Sequence, residues 1–221
     1  MQVHDAIAAR RSTRAFLDNP VDTSHLTRLI EQAAGAPSGG NLQPWHVHLL
    51  NGEGMTRFRT MMEPRLDAGQ VEATEYPIYP DSLSEPYRTR RFAVGEQMYD
   101  RLGIPRTDKA ARLDWFRRNW RFFDAPAGLF LFVDRAMGAA QWSDLGGFLH
   151  GLMLLLVEDG LASCPQEAWA MQHTAVTEFC GAPADHMLFC GLSIGIPDPN
   201  HPLATFRTER APLTEWLTLH E

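Results

Sequence analysis

The chain has 221 residues, 44% of them hydrophobic and 10% aromatic, and a formal net charge of −7. That is enough apolar material for a packed core, which excludes a disordered chain, and the acidic balance argues against a nucleic-acid binder, which carries a basic stripe along one face. Three cysteines without CxxC or Cys/His ligand spacing point to a reducing compartment and to no metal site.

The N-terminus, MQVHDAIAAR, lacks the apolar core of a signal peptide, and no apolar run approaches the roughly 20 residues of a membrane span. A cytoplasmic protein with no membrane partner is expected. Val3, Ala6 and Ile7 stand at helical spacing, so a short first helix delivers Arg10 and Arg11 at its C-terminal end. With Arg14 they place three arginines in the stretch RRSTRAF. Arg10, Arg11 and Arg14 around Ser12 offer guanidinium forks and a hydroxyl suited to a phosphate; a solvated helix end that complements the helix dipole accounts for the same charges.

A second helix, capped by Asp22 or Thr23, carries the apolar stripe Leu26, Leu29, Ile30, Ala33 and Ala34 and breaks at GAPSGGN. The loop PSGGNLQPW then offers backbone that a ligand can approach closely, or is a plain connector. In WHVHLLNGEG, Trp45, Val47 and Leu49 alternate with His46 and His48, the pattern of a half-buried strand, and no third ligand turns the histidines into a metal site.

Residues 55–123 are polar and rich in Arg, Tyr and Pro, with EYPIYPDSLSEPYRTRR expected as an exposed loop between two helical pieces. APAGLFLFVDR reads as a buried strand, and SDLGGFLHGLMLLLVEDGL as a long core helix capped by Ser143. GLASCPQEAW follows that helix and presents Pro165, Gln166 and Glu167 beside the sheet edge. A helix over residues 174–180, a strand in HMLFCGLSIGIPDP and a short amphipathic tail complete the chain, and FRTERAPLTEW adds Arg207 and Arg210. Strands so widely separated fit an α+β sheet flanked by helices better than a bundle or barrel. Without a repeat or a low-complexity linker, residues 1–221 are read as one domain with a variable excursion at about 55–123.

The joint order R-R-S-x-R, P-S-x-x-N-x-Q-P-W, G-L-x-x-x-P-x-E, G-x-P and R-x-P-L-x-E resembles the FMN-dependent nitroreductase family, from Val3 to Trp216 and most weakly over residues 55–123. The resemblance implies a three-layer α+β fold, a central, mostly antiparallel sheet flanked by helices, working as an intertwined homodimer with FMN at the subunit interface. By position, Arg10, Arg11, Ser12 and Arg14 would bind the flavin phosphate and ribityl oxygens, with Arg210 completing the clamp. Pro37, Ser38, Gly39 and Asn41 would line the partner's flavin, and Pro165, Gln166 and Glu167 would lie along the isoalloxazine with a backbone N–H at N5. Asp144 falls where the family often has a polar side chain near the flavin, although an acidic residue in a first helical turn has its own electrostatic reason. Gly147 and Gly151, four apart, would put their helix in the dimer core.

The same resemblance implies a ping-pong oxidoreductase: NADH or NADPH reduces FMN and leaves, and a small aromatic acceptor takes its place, with no catalytic side chain. No Rossmann fingerprint separates NADH from NADPH. Tyr76, Tyr79 and Tyr87 are candidates to stack on the acceptor, and Arg88, Arg90 or Arg91 to attract a carboxylate, so the expected acceptor is a nitroaromatic, an acidic one such as a nitrobenzoate included. Dehalogenation, flavin breakdown and heterocycle oxidation on the same fold, or flavin binding without turnover, are the alternatives.

Overall fold

The computed structural model describes residues 1–220. Its centre is β2 (Ala127–Asp134), buried from Ala127 to Val133. The sheet runs β1 (His46–Asn51), β2, β4 (His186–Gly195), β3 (Ala162–Gln166), every neighbouring pair antiparallel. Successive β2 side chains point to opposite faces. Leu129, Leu131 and Val133 meet α2 (Thr23–Ala33) and α6 (Ala139–Glu158) through Leu26, Leu29, Phe148, Leu152 and Leu156. Phe130 and Phe132 meet α3 (Gly52–Asp67) and α7 (His173–Cys180) through Phe58, Met62 and Val176. This is the three-layer α+β arrangement expected, with the aliphatic stripe of α2 buried and Asp22 capping it by accepting the His25 N–H at 2.7 Å.

In β1 the expected alternation holds. Trp45, Val47 and Leu49 pack on the α2/α6 side. His48 lies edge-on to Phe132, and the His46 ring stands 4.0 Å from that of His186. Among the described residues no group of side chains is arranged to hold a metal, and no helix is long and apolar enough to cross a membrane.

The pairing of β2 with β4 slips at one point: Leu131 faces Cys190 and Phe132 faces Leu188, leaving Phe189 as the extra residue of a bulge. Its carbonyl, freed from the ladder, accepts a hydrogen bond from the Tyr76 hydroxyl.

The chain departs from expectation in four places. Residues 162–166 form β3, a strand that ASCPQ did not announce; its proline is tolerated because β3 is an edge strand. Helix α6 starts at Ala139, one turn before Ser143, whose hydroxyl donates to the Ala140 carbonyl at 2.6 Å inside the helix instead of capping it. The loop after α3 ends at Pro86, so Tyr87–Arg91 belong to the opening turns of α4 (Tyr87–Arg101), which shares a small core with α5 (Lys109–Arg117), Leu203 and Phe206. The tail forms only a single 3-10 turn at Leu213–Glu215, with Leu213 and Trp216 exposed. Helix α1 (Val3–Ala9) forms as expected, yet Ala6 is its one buried residue, and Val3 and Ile7 are 70% and 53% exposed.

Candidate functional site

After α1 the stretch RRSTRAF runs extended along the outer edge of β3. The Thr13 N–H donates to the Ser163 carbonyl at 3.0 Å, and the Leu17 N–H to the Ile196 carbonyl at 2.9 Å. Thr13 and Ala15 are buried; Ser12 and Arg14, which alternate with them, line a cavity of about 530 Å³, together with Arg10, Arg11, Arg207 and Arg210.

None of these five arginines has a carboxylate within ion-pairing distance among the described residues. Burial lowers the pKa of Arg10, and the charges of Arg210 and Arg207 lower it further; Arg11 is lowered by burial and by Arg207. Like charges held together without a counterion favour an incoming anion, which relieves their mutual repulsion. Three of the five also have local partners, Arg14 donating to the Ser12 carbonyl at 3.2 Å. Arg207 donates to the Ala8 and Ala9 carbonyls at 2.6 and 3.2 Å, which satisfies the C-terminal end of α1, and Arg210 holds the Thr208 hydroxyl at 2.5 Å.

Arg14 also opens a second cavity of about 460 Å³, so one residue belongs to both. Pro165, Gln166 and Glu167 line it, with Tyr99 and Phe123 among the aromatic walls. Gln166 is 2% exposed, and its amide nitrogen donates to the Asn119 carbonyl at 2.7 Å, but its amide oxygen has no protein partner. The buried Thr13 and Ser163 hydroxyls beneath the same strip are likewise without one. Buried polar atoms are nearly always satisfied, and of these three the Gln166 amide belongs to the cleft lining, where it suits a polar ligand. A phosphate-bearing, flat, aromatic cofactor such as FMN fits this donor set: its phosphate to the arginines, its ring to the 165–167 segment.

Phe123 reaches the cleft from an unusual turn. Phe122, Phe123 and Asp124 all have positive φ, 55°, 53° and 63°, a conformation that costs about 1 kcal/mol or more per non-glycine residue. Arg59 binds the Ala125 carbonyl at 2.5 Å, Arg118 pairs with Asp124 at 2.9 Å, and Phe122 is buried against Phe130 and Trp169. Position 128 has to be glycine, because a Cβ there would stand 2.7 Å from the Phe122 ring.

The remaining predicted residues divide. Pro37, Ser38, Gly39 and Asn41 line neither cavity of their own chain; Gly39 and Asn41 belong to a short 3-10 turn whose Gly39 N–H donates to Asp144 at 3.2 Å. Asp144 therefore sits with this loop and away from the arginines of its own chain. Beside it lies an apolar groove of about 500 Å³ lined by Val3, Ala6, Pro37, Gly147, Gly151 and Leu154.

Among the acceptor candidates, Tyr79 and Arg91 line the second cleft, with the Arg91 guanidinium 3.9 Å above the Tyr79 ring. Tyr76 does not; it is 9% exposed and packs on Trp142 and Phe189 in the core, where burial pushes its pKa up and keeps the phenol protonated. Tyr87 and Arg88 also lie outside the cleft: Tyr87 is exposed at the start of α4, and Arg88 pairs with Glu85 at 2.7 Å. Arg90 pairs with Glu215. Sequence reading found Arg91 but missed the rest of the α4 wall, although Val94, Gly95 and Met98 follow it at helical spacing and all line the cleft. Phe123 carried no such signal.

No cysteine is poised as a nucleophile. Burial raises Cys164 and Cys190, and pushes Cys180 up to about 12.

Residues 7–196 match the model of the nitroreductase family. The chain belongs to that family. A nitrobenzene nitroreductase of Ectopseudomonas oleovorans is 37% identical over 99% of this chain and 97% of its own length. A 4-nitrobenzoate reductase of Nocardioides sp. (strain LMS-CY) is 34% identical, over 99% of this chain and 90% of its own length. The crystal structure of NfnB from Sphigopyxis sp. strain HMH, an FMN- and NADPH-dependent nitroreductase, superposes with a TM-score of 0.95 at 45% identity and covers both chains fully. That family membership, with the superposition, accounts for the antiparallel α+β sheet.

Proposed function

We propose that this nitroreductase-family protein is a cytoplasmic, homodimeric, FMN-dependent oxidoreductase that uses NADPH to reduce nitroaromatic compounds. The observation that carries the reading is the pair of cavities joined at Arg14, one an arginine cluster without counterions and the other an aromatic-walled cleft. The similarity to nitrobenzene and 4-nitrobenzoate reductases and to an FMN- and NADPH-dependent NfnB supports the reaction class.

When bound, FMN would relay electron pairs from NADPH to the acceptor. The first pair takes a nitro group to nitroso plus water, by the balance RNO2 + NADPH + H+ giving RNO + H2O + NADP+. The chain's own part is binding, orientation and exclusion of water. Arg10, Arg11, Arg14 and Arg210 would neutralise the phosphate, the Ser12 hydroxyl would accept or donate beside it, and the 165–167 segment would fix the plane of the ring. Tyr99 and Phe123 keep water from the cleft wall, and no side chain is required as nucleophile.

The homodimer supplies what one chain lacks. The groove along Gly147 and Gly151, where a Cβ would meet nothing within 4 Å, would receive a second copy's helix, together with the exposed Val3 and Ile7. In that assembly Pro37, Ser38, Gly39, Asn41 and Asp144 of each subunit would line the other's cleft. The excursion over residues 55–123 would cover the open side.

The test is the visible spectrum of the purified protein, its bleaching by NADPH or NADH without oxygen, and its recovery on adding nitrobenzene with product identification. Failure to acquire a flavin spectrum with added FMN would sink the proposal. Bleaching that nitrobenzene does not reverse would favour another acceptor, and no bleaching would favour a flavin carrier.

A further inference from the structure

We propose that Arg91 reads an anionic substituent on the aromatic acceptor, so that carboxylated nitroarenes are preferred to neutral ones; this rests on the nitroaromatic reading above. The RTRR run at the start of α4 holds three arginines, and the structure distinguishes them. Arg88 is bound to Glu85 and Arg90 to Glu215. Arg91 has no carboxylate partner, and its guanidinium makes no hydrogen bond to protein among the described residues. It is also the one of the three that lines the cleft.

Its head group is restrained, though exposed, without consuming its donors. The guanidinium lies 3.9 Å over the centroid of Tyr79, a cation–π contact that restrains the head group and leaves its N–H groups to a ligand. Arg91 follows the same helical face as Val94, Gly95 and Met98, so the charge sits on the wall where an acceptor lying on the 165–167 segment would extend outward. The acid in the cleft lining is Glu167, which is not paired with Arg91 within 4 Å; with Arg14 committed to the phosphate, Arg91 is the cation left for the acceptor. A planar guanidinium fork matches a carboxylate with two parallel hydrogen bonds, a recognition that a neutral nitroarene cannot answer.

The experiment uses the FMN-loaded protein. Calorimetric titration with benzoate and with its neutral isostere benzamide reads recognition without turnover. Benzoate should bind more tightly to the wild type, and Arg91→Gln should weaken benzoate by about fivefold, the scale of an exposed ion pair, while leaving benzamide within about twofold. Arg91→Lys should keep part of the benzoate preference. The kcat/KM for 4-nitrobenzoate should fall by a similar factor, with nitrobenzene unchanged. Equal affinity for benzoate and benzamide in the wild type, an equal loss of both in Arg91→Gln, or a selective rise in the KM for NADPH would overturn the assignment, the last because it would place the donor's phosphate at Arg91. Nitrobenzene turnover in the same preparation reports separately on the proposed function, and the benzoate titration decides on Arg91 even where that turnover fails.

Discussion

Arg14 sits where the two cavities meet, and Arg10, Arg11 and Ser12 of RRSTRAF face the larger, arginine-lined one. If it grips the phosphate, Arg14→Ala should weaken FMN binding by about ten- to a hundredfold, the scale of a lost charge-assisted hydrogen bond, and leave the ranking of acceptors unchanged. Fluorescence titration of the apoprotein measures the first and relative kcat/KM values the second; a changed ranking with intact FMN binding would mean that the cluster has been misassigned. Tyr76 makes the opposite case. Tyr76→Phe should cost about 1 kcal/mol in denaturant unfolding, through the lost bond to the Phe189 carbonyl, with no effect on acceptor KM. Tyr76 and Tyr79 stand three apart in EYPIY, and nothing local separates them. What separates them is a bulge in β4, more than a hundred residues away, which offers one of them an acceptor. The arginines of RRSTRAF, by contrast, were legible because charge density in an acidic chain is a property of sequence alone.

Elements with a strong period were readable: α2 by its aliphatic stripe, β2 and β4 by their apolar runs, β1 by alternation. Strand β3 was not, since ASCPQ has neither period nor β-branched residues, and only its place beside β4 and the N-terminal stretch makes it a strand. The start of α6 was misplaced because Ser143 is a good cap by type, while the Gly138 N–H finds Gln141 at 3.2 Å and the helix begins a turn earlier. The histidines of β1 carry a consequence at this scale. Burial, then the charge of His186, lowers the pKa of His46, against an opposing pull from Asp134 and Asp185; His48 is lowered by burial, His186 and His46. A lowered folded value means that the unfolded chain takes up protons first, so this stability is present above the ordinary value of 6.5 and lost as pH falls through the folded value. The unfolding temperature should therefore drop between about pH 7 and about pH 5, and His186→Asn should reduce that drop. An unchanged pH dependence in the variant would show that the cluster is inert.

For the whole molecule, the monomer carries marks of incompleteness. Val3, Ile7, Leu213 and Trp216 are apolar and exposed, and the groove beside Gly147 and Gly151 is open. These residues followed helical or amphipathic patterns in the sequence, but a pattern does not say whether the surface it faces belongs to the same chain. Sedimentation should give twice the 24.9 kDa chain mass. Leu154→Glu, which places a charge in that groove, should shift the protein toward monomer and lower FMN affinity in parallel, because the loop around Gly39 would leave the site. A monomer that keeps full FMN affinity would show that each chain binds the flavin unaided.

The N-terminal stretch beside β3 has one more effect. A sheet ends in rows of unpaired backbone groups that invite any passing strand, and β3 is such an end. By laying Ser12 against Ser163, with Thr13 and Leu17 donating to the chain next to them, the same residues that collect positive charge also seal that edge. On the proposed site, cofactor capture and protection from aggregation would be carried by one segment, and trimming the N-terminus would forfeit both together.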